Sequence, residues 1–289
     1  MMNRLILALC AFLSSCMPAH VPPAPGPVGY VVGQPYQING EWQYPQEFAS
    51  YDVTGLGIII RRATDSYTAN NELYRPDDLV AASPVLPLPS IVTITNLVNG
   101  YSMQVRVNQR GPNILGRVIA VSPRVARLLG FPPGGVVEVR VQLDPQASAQ
   151  VQSALGAGPK LTAAPVAGIT AQSLAPPGSV QGNGAVHQLV MNNNAPAQSN
   201  GPQLTGQVSL TTPAPGPLWV RVSGFGSVYG AARTVARLYG MNARVVPVYG
   251  TNRALYAVDV GPYHSVAAAD EALAQELARG IAGPEIVVR

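Results

Sequence analysis

The stretch VRVNQRGP, residues 105–112, puts three side chains able to grip a polar ligand at consecutive positions, Asn108, Gln109 and Arg110. Valine alternating with polar residues reads as a strand, and Asn-Gln-Arg-Gly-Pro reads as the turn that ends it. An amide such as Gln109 gives and accepts hydrogen bonds but moves no proton in the working pH range, so it suits holding rather than acid–base work. Asn108 fits a turn residue and a ligand contact equally. Arg110 fits a group holding turn carbonyls or a carboxylate. Other chemistries lack their residues. The three histidines, His20, His187 and His264, are scattered, and both cysteines, Cys10 and Cys16, lie at the N-terminal end. A His/Cys zinc site and a Ser-His-Asp triad are therefore not expected, nor is any metal or cofactor. Charged residues make up 11% of the chain and the formal net charge is +4, with Lys160 the only lysine. So small and dispersed an excess does not point to nucleic acid.

These residues need elements to position them. Residues 28–143 carry strand signals: 91–97 and 102–107 alternate in polarity around Asn99-Gly100, which predicts a tight hairpin using positive φ angles. A short helix follows, with Ser122 as N-cap, Pro123 in the first position and Gly130 as terminator, and 137–141 alternate as a further strand. Short strands, tight turns and one helix suit a small closed barrel, which removes exposed edges. Residues 144–216 contain, after Asp144, one charged residue, Lys160, and are crowded with Ala, Gly, Pro, Ser, Gln and Asn, which predicts a long flexible linker. In 217–289 the expected order is strand 218–223, helix 227–239, strands 244–249 and 255–261, helix 265–279 and strand 285–288. This βαββαβ order packs two helices on one side of a four-stranded antiparallel sheet. Val220 and Val222 would then face the helices, leaving Trp219 and Arg221 on the open face.

At the N-terminus, Arg4 precedes the apolar run 5–13, far too short to span a bilayer, so 1–15 is expected to be a signal peptide. Leu13-Ser14-Ser15-Cys16 resembles the lipobox of bacterial lipoproteins, which implies lipid on Cys16, a tether over 16–27 and attachment to the outer membrane.

LPLPS (86–90), VTITNLVNG (92–100), VRVNQRGP and SPRVARLLG (122–130) resemble the double-psi β-barrel of the rare lipoprotein A (RlpA) family. WVRVSGF (219–225) and YAVDVGPYHSVAAADEAL (256–273) resemble a SPOR domain. The resemblance implies an all-β barrel with a short helix, joined through the linker to an α+β SPOR domain. It implies endolytic cleavage of peptidoglycan glycan strands that lack stem peptides, leaving 1,6-anhydro-muramoyl ends, and binding of such denuded strands at the division septum. A lytic transglycosylase needs a carboxylic acid that protonates the leaving oxygen and then takes the proton of the attacking 6-hydroxyl, a transfer worth roughly 10²- to 10⁴-fold. By the resemblance Gln109 stands where the family carries aspartate, and Glu72, in Thr68-Ala69-Asn70-Asn71-Glu72, stands at a second acidic position. The family's Gly-Ile-Ala-Ser-Trp-Tyr-Gly strand becomes 55–61 with Ile58, Ile59 and Ile60; its Thr-Ala-Ala-His ends in Ser83; its Ile-Asp-Leu-Ser has Ala120 for the acid.

Three functions follow. The first is a lipoprotein that binds denuded glycan with catalysis weak or lost, using Asn108, Arg110, Trp219 and Arg221, with Arg110 also able to meet a muropeptide carboxylate. The second is an active transglycosylase with Glu72 as acid and base. The third is a non-enzymatic scaffold for envelope or division proteins. Glu72 is also open to a plainer reading as a solvated loop residue, and Trp219 to one as a packed strand-end side chain.

Overall fold

The computed structural model describes residues 25–61, 66–157, 204–248 and 255–289. An N-terminal hairpin of β1 (Tyr36–Ile38) and β2 (Glu41–Gln43) leads into β3 (Asp52–Ile59). A second hairpin, β4 (Ser66–Tyr67) and β5 (Leu73–Tyr74), precedes β6 (Val80–Ala82), β7 (Ser90–Asn96), β8 (Tyr101–Gln109) and β9 (Arg117–Val121). Helix α1 (Pro123–Leu128), β10 (Val137–Leu143) and α2 (Pro145–Ser153) complete the first unit.

Six of these strands close on themselves. β3 pairs β9 in parallel and β10 antiparallel, β10 pairs β7, β7 pairs β8, β8 pairs β6 in parallel, and β6 returns antiparallel to β9. This closed, mixed six-stranded barrel fits a double-psi β-barrel. Alternation fills it: Val105 and Val107 of β8 and Val139 and Val141 of β10 are buried in one core with Ile94 and Leu129. Helix α1 has the expected anatomy, since the Ser122 side chain accepts from Val125 N at 3.3 Å and Gly130 takes a φ of 70°.

Three expectations change here. The β7–β8 turn is wider than an Asn-Gly dipeptide, running over 97–100 with only Gly100 at positive φ (77°); Asn99 instead uses its side chain, donating to Leu129 O at 3.0 Å. Strand β8 runs two residues further than expected, so Asn108 and Gln109 belong to the strand and not to the turn. The linker expected to be flexible from 144 begins as α2, because Asp144 caps it by accepting from Ala147 N at 2.9 Å and Val151 is buried. Its far end is held too: β11 (Ser209–Leu210) adds to β8, and Thr211 N donates to Gly100 O at 2.8 Å. The stretch between, 158–203, lies outside the described residues, as do the signal, the lipobox and His187.

The C-terminal unit runs β12 (Leu218–Phe225), α3 (Val228–Arg237), β13 (Ala243–Val248), β14 (Leu255–Tyr263), α4 (Val266–Ala278) and β15 (Glu285–Val288). Its strands form one antiparallel sheet in the order β13-β14-β12-β15. Val220, Val258, Ala269 and Ile286 are buried in its core. Leu56 of the barrel strand β3 is buried in that same core, so the two units share packing. Gly55 permits the approach: a Cβ there would lie 2.6 Å from Val118 Cγ1 and 2.9 Å from Ile286 O.

Candidate functional site

Glu72 closes a turn shaped by its own side chains. Between β4 and β5, Asn71 adopts a left-handed φ of 66°, which asparagine tolerates, and Thr68 N donates to Glu72 O at 2.8 Å. Thr68 Oγ1 lies within hydrogen-bond distance of Glu72 O and of the buried Asn70 Oδ1. The turn lies against the outer face of β8, where Gln104, Arg106 and Asn108 alternate with the inward-facing Val105 and Val107. Arg106 Nε donates to both Glu72 carboxylate oxygens, at 3.1 and 3.0 Å, and its Nη2 also reaches Oε1. Asn108 Nδ2 donates to Oε2 and Asn70 Nδ2 to Oε1, each at 2.9 Å.

Burial by itself would raise the Glu72 carboxyl. The hydrogen bonds and charge of Arg106, with the amides of Asn108 and Asn70, outweigh it and hold the group below its ordinary value. Three side chains, Arg106, Asn108 and Asn70, thus hold the carboxylate in its ionised form. Glu72 is therefore not the solvated loop residue of the plainer reading.

Gln109 sits beside it. Its Oε1 accepts from Ala69 N at 2.7 Å and from Arg110 N at 3.1 Å, and Ser83 N donates to its carbonyl at 3.0 Å. The amide NH₂ has no protein partner among the described residues, which leaves two donors for a ligand oxygen. Arg110 is a staple: its Nη1 donates to the carbonyls of Leu86 and Ser83 and its Nη2 to that of Val32. Ser83 is buried, its Oγ accepting from Leu86 N at 3.3 Å, and Ala120 is buried as well. Ile58, Ile59 and Ile60 are half-buried, Ile59 against the barrel core.

Glu72, Asn108, Gln109 and Arg110 thus come together, whereas Trp219 and Arg221 belong to the other unit. Trp219, expected on an open face, is buried at 7% exposure, with the Arg244 guanidinium 4.1 Å from its ring centroid. Arg221 does lie on the face away from the helices, but its Nε is bound to Asp259 Oδ1 at 2.8 Å, and Arg289 Nη1 meets Asp259 Oδ2 at 2.6 Å. Asp259 is fully buried, so the cations cover an acid that must be paired. Cys16 lies outside the described residues.

A family model described as lytic transglycolase matches residues 57–141, from within β3 to within β10. The endolytic peptidoglycan transglycosylase RlpA of Pseudomonas aeruginosa PAO1 is 31% identical over 253 residues, which cover 84% of this chain and 72% of that protein. The chain belongs to the RlpA family. The RlpA of Escherichia coli K12 is 36% identical over 134 residues, 46% of this chain and 36% of that protein. That of Rickettsia felis is 34% identical over 120 residues, 40% of this chain and 53% of its own. These shorter alignments span about half or less of the RlpA relatives concerned. Sequence reasoning missed two members of the cluster around Glu72, Arg106 and Asn70. The alternation of β8 marks Arg106 as outward-facing, but nothing local pairs it with an acid 34 positions away.

Proposed function

We propose that this RlpA-family chain binds peptidoglycan glycan strands without appreciable cleavage, in a groove of the barrel beside Glu72 and Gln109. The observation that carries the reading is the state of Glu72: two amides and a bidentate guanidinium occupy its carboxylate and keep it ionised, while its neighbour Gln109 cannot donate a proton to a leaving sugar. Asn108 orients the carboxylate, Arg110 fixes the loop, and the free amide of Gln109 meets sugar oxygens. In this reading the C-terminal unit is a SPOR domain that binds denuded strands through the rim around Arg221, with Trp219 acting by holding Arg244. The mature chain is an outer-membrane lipoprotein acylated on Cys16, facing the periplasm and enriched at the septum.

Purified mature chain incubated with denuded glycan should co-sediment with it and release no 1,6-anhydro ends detectable by mass spectrometry. Gln109→Asp should gain release, because it restores an acid beside the groove. The rival reading, an active transglycosylase, is favoured by the name shared by its relatives. Release by the unaltered chain, abolished in Glu72→Gln, would establish it. Labelling with radioactive palmitate, lost in Cys16→Ser, tests the anchor. Septal enrichment that survives deletion of 217–289 would favour a scaffold over a glycan binder.

A further inference from the structure

Trp42 and Tyr44 are two positions apart on and just beyond β2, so they point the same way, and both are exposed, at 52% and 60%. Their rings lie side by side, centroids 6.4 Å apart and planes within 30°. Large aromatic faces left in solvent, with their edges against their own protein, mark a contact surface. The hairpin that carries them is fixed in place. Tyr36 Oη donates to Pro84 O at 3.1 Å, Gln46 N donates to Val85 O at 3.1 Å, and Gly283 N donates to Glu41 Oε2 at 3.1 Å. The hairpin therefore bridges the barrel and the C-terminal unit, and its rings line a cleft of about 1110 Å³ between them.

We propose that this cleft is a second saccharide-binding site, in which the rings of Trp42 and Tyr44 stack against successive sugars of a glycan strand. Continuity is the first support. The barrel end of the cleft includes Pro84 and Pro112, one residue past Ser83 and three past Gln109, and the β1 residue Tyr36 sits on that same loop. A groove that accepts the interior of a polymer must hold it beyond the central contacts, and this cleft is where the strand would run. Charge is the second. Arg140 is bound to Asp52 through two contacts of 2.7 and 2.6 Å, and Glu41 is held by Gly283 N. Arg117, Arg221 and Arg289, which line the cleft together with Glu285, are each bound to an aspartate, so beside the rings an occupant meets aromatic faces and the amides of Gln43 and Gln46. That surface matches pyranose rings edged with hydroxyls better than a charged peptide or an apolar helix.

The inference rests on glycan being the ligand of the barrel groove, and the test separates the two. Full-length mature protein and the Trp42→Ala/Tyr44→Ala variant are titrated with purified denuded glycan strands, with thermal melts confirming that both are folded. The double variant should bind about tenfold more weakly. Acrylamide should quench Trp42 and not the buried Trp219, and bound glycan should remove that quenching; Trp42→Phe serves as the blank. If the unaltered chain binds and the double variant binds equally well, the second site is wrong and the groove stands. No binding by the unaltered chain overturns both. Protection of Trp42 by free stem peptide and not by glycan also overturns the site, by giving it a peptide occupant.

Discussion

At the scale of single residues, two glutamates carry opposite pH signatures. Glu72 is held below its ordinary value, so it favours the fold above the unfolded carboxyl range near 4.5, and that contribution is lost as pH falls through its depressed folded value. Its pair with Arg106 is neither surface nor fully buried, with side chains 17% and 20% exposed. Arg106→Gln should therefore cost about 2 kcal/mol at pH 7, between the values of exposed and buried pairs, and less in acid. Chemical denaturation at pH 7 and pH 4 checks this, and an equal loss at both would remove the ion pair from the account. Glu276 on α4 is the reverse case: it is fully buried, neither carboxylate oxygen has a hydrogen-bond partner among the described residues, and burial raises it to about 7 against a weaker opposing effect of Arg279. An acid raised by folding stabilises fully below about 4.5 and works against the fold as pH rises past 7. A shift of that size corresponds to about 3 kcal/mol. Glu276→Gln should leave the melting temperature unchanged near pH 4 and raise it at pH 8; parallel pH profiles for the two proteins would show that Glu276 is not the source.

At the scale of elements, the parts written into local sequence are those with local causes. Helix α1 is legible because Ser122, Pro123 and Gly130 do their work within nine residues, and β10 because Val137, Val139 and Val141 alternate with Glu138 and Arg140. The order of the C-terminal elements follows from caps of the same kind at Ser227 and Ser265. The site was half legible. Its outward strand residues follow from period two, but the partner of Arg106 and the burial of Trp219 under Arg244 depend on which strands become neighbours, and no local spacing encodes that. The strap at 209–214 is the plainest failure, since the run Ser-Leu-Thr-Thr-Pro-Ala gives no sign that it will lie along the β7–β8 hairpin. Gly100 is the position that admits it: its φ is 77°, and a Cβ would fall 2.0 Å from Thr211 O. Gly100→Ala should cost at least about 2 kcal/mol, from the left-handed strain and the displaced strap together. Amides of 209–214 should then exchange hydrogen faster than in the unaltered chain. Unchanged exchange there would mean that the strap does not depend on this contact.

At the scale of the whole molecule, the question is whether barrel and C-terminal unit act as one body. Interfaces between domains of one chain are commonly small and mobile unless they are apolar and tied by specific contacts. Here both conditions hold. Leu56 and Leu97 of the barrel are buried in the core that contains Leu273 and Ile286. Arg117, whose side chain is 7% exposed, meets Asp270 through two contacts of 2.6 and 2.8 Å, and Thr54 Oγ1 donates to Val288 O at 2.7 Å. Arg117 Nε is buried with no partner among the described residues, so the guanidinium depends on Asp270 for much of its compensation. Removing that carboxylate leaves a buried cation unpaired, which costs more than a pair at the surface and costs it at the junction alone. Asp270→Ala should accordingly weaken the docking by about 2–3 kcal/mol and split a single thermal transition into two, followed by calorimetry. It should also lower affinity for denuded glycan, although Asp270 touches neither Gln109 nor the Trp42 and Tyr44 rings, because the cleft between the units keeps its width only while they stay docked. A variant that melts in one transition and binds glycan as tightly as the unaltered chain would show that the two units work independently.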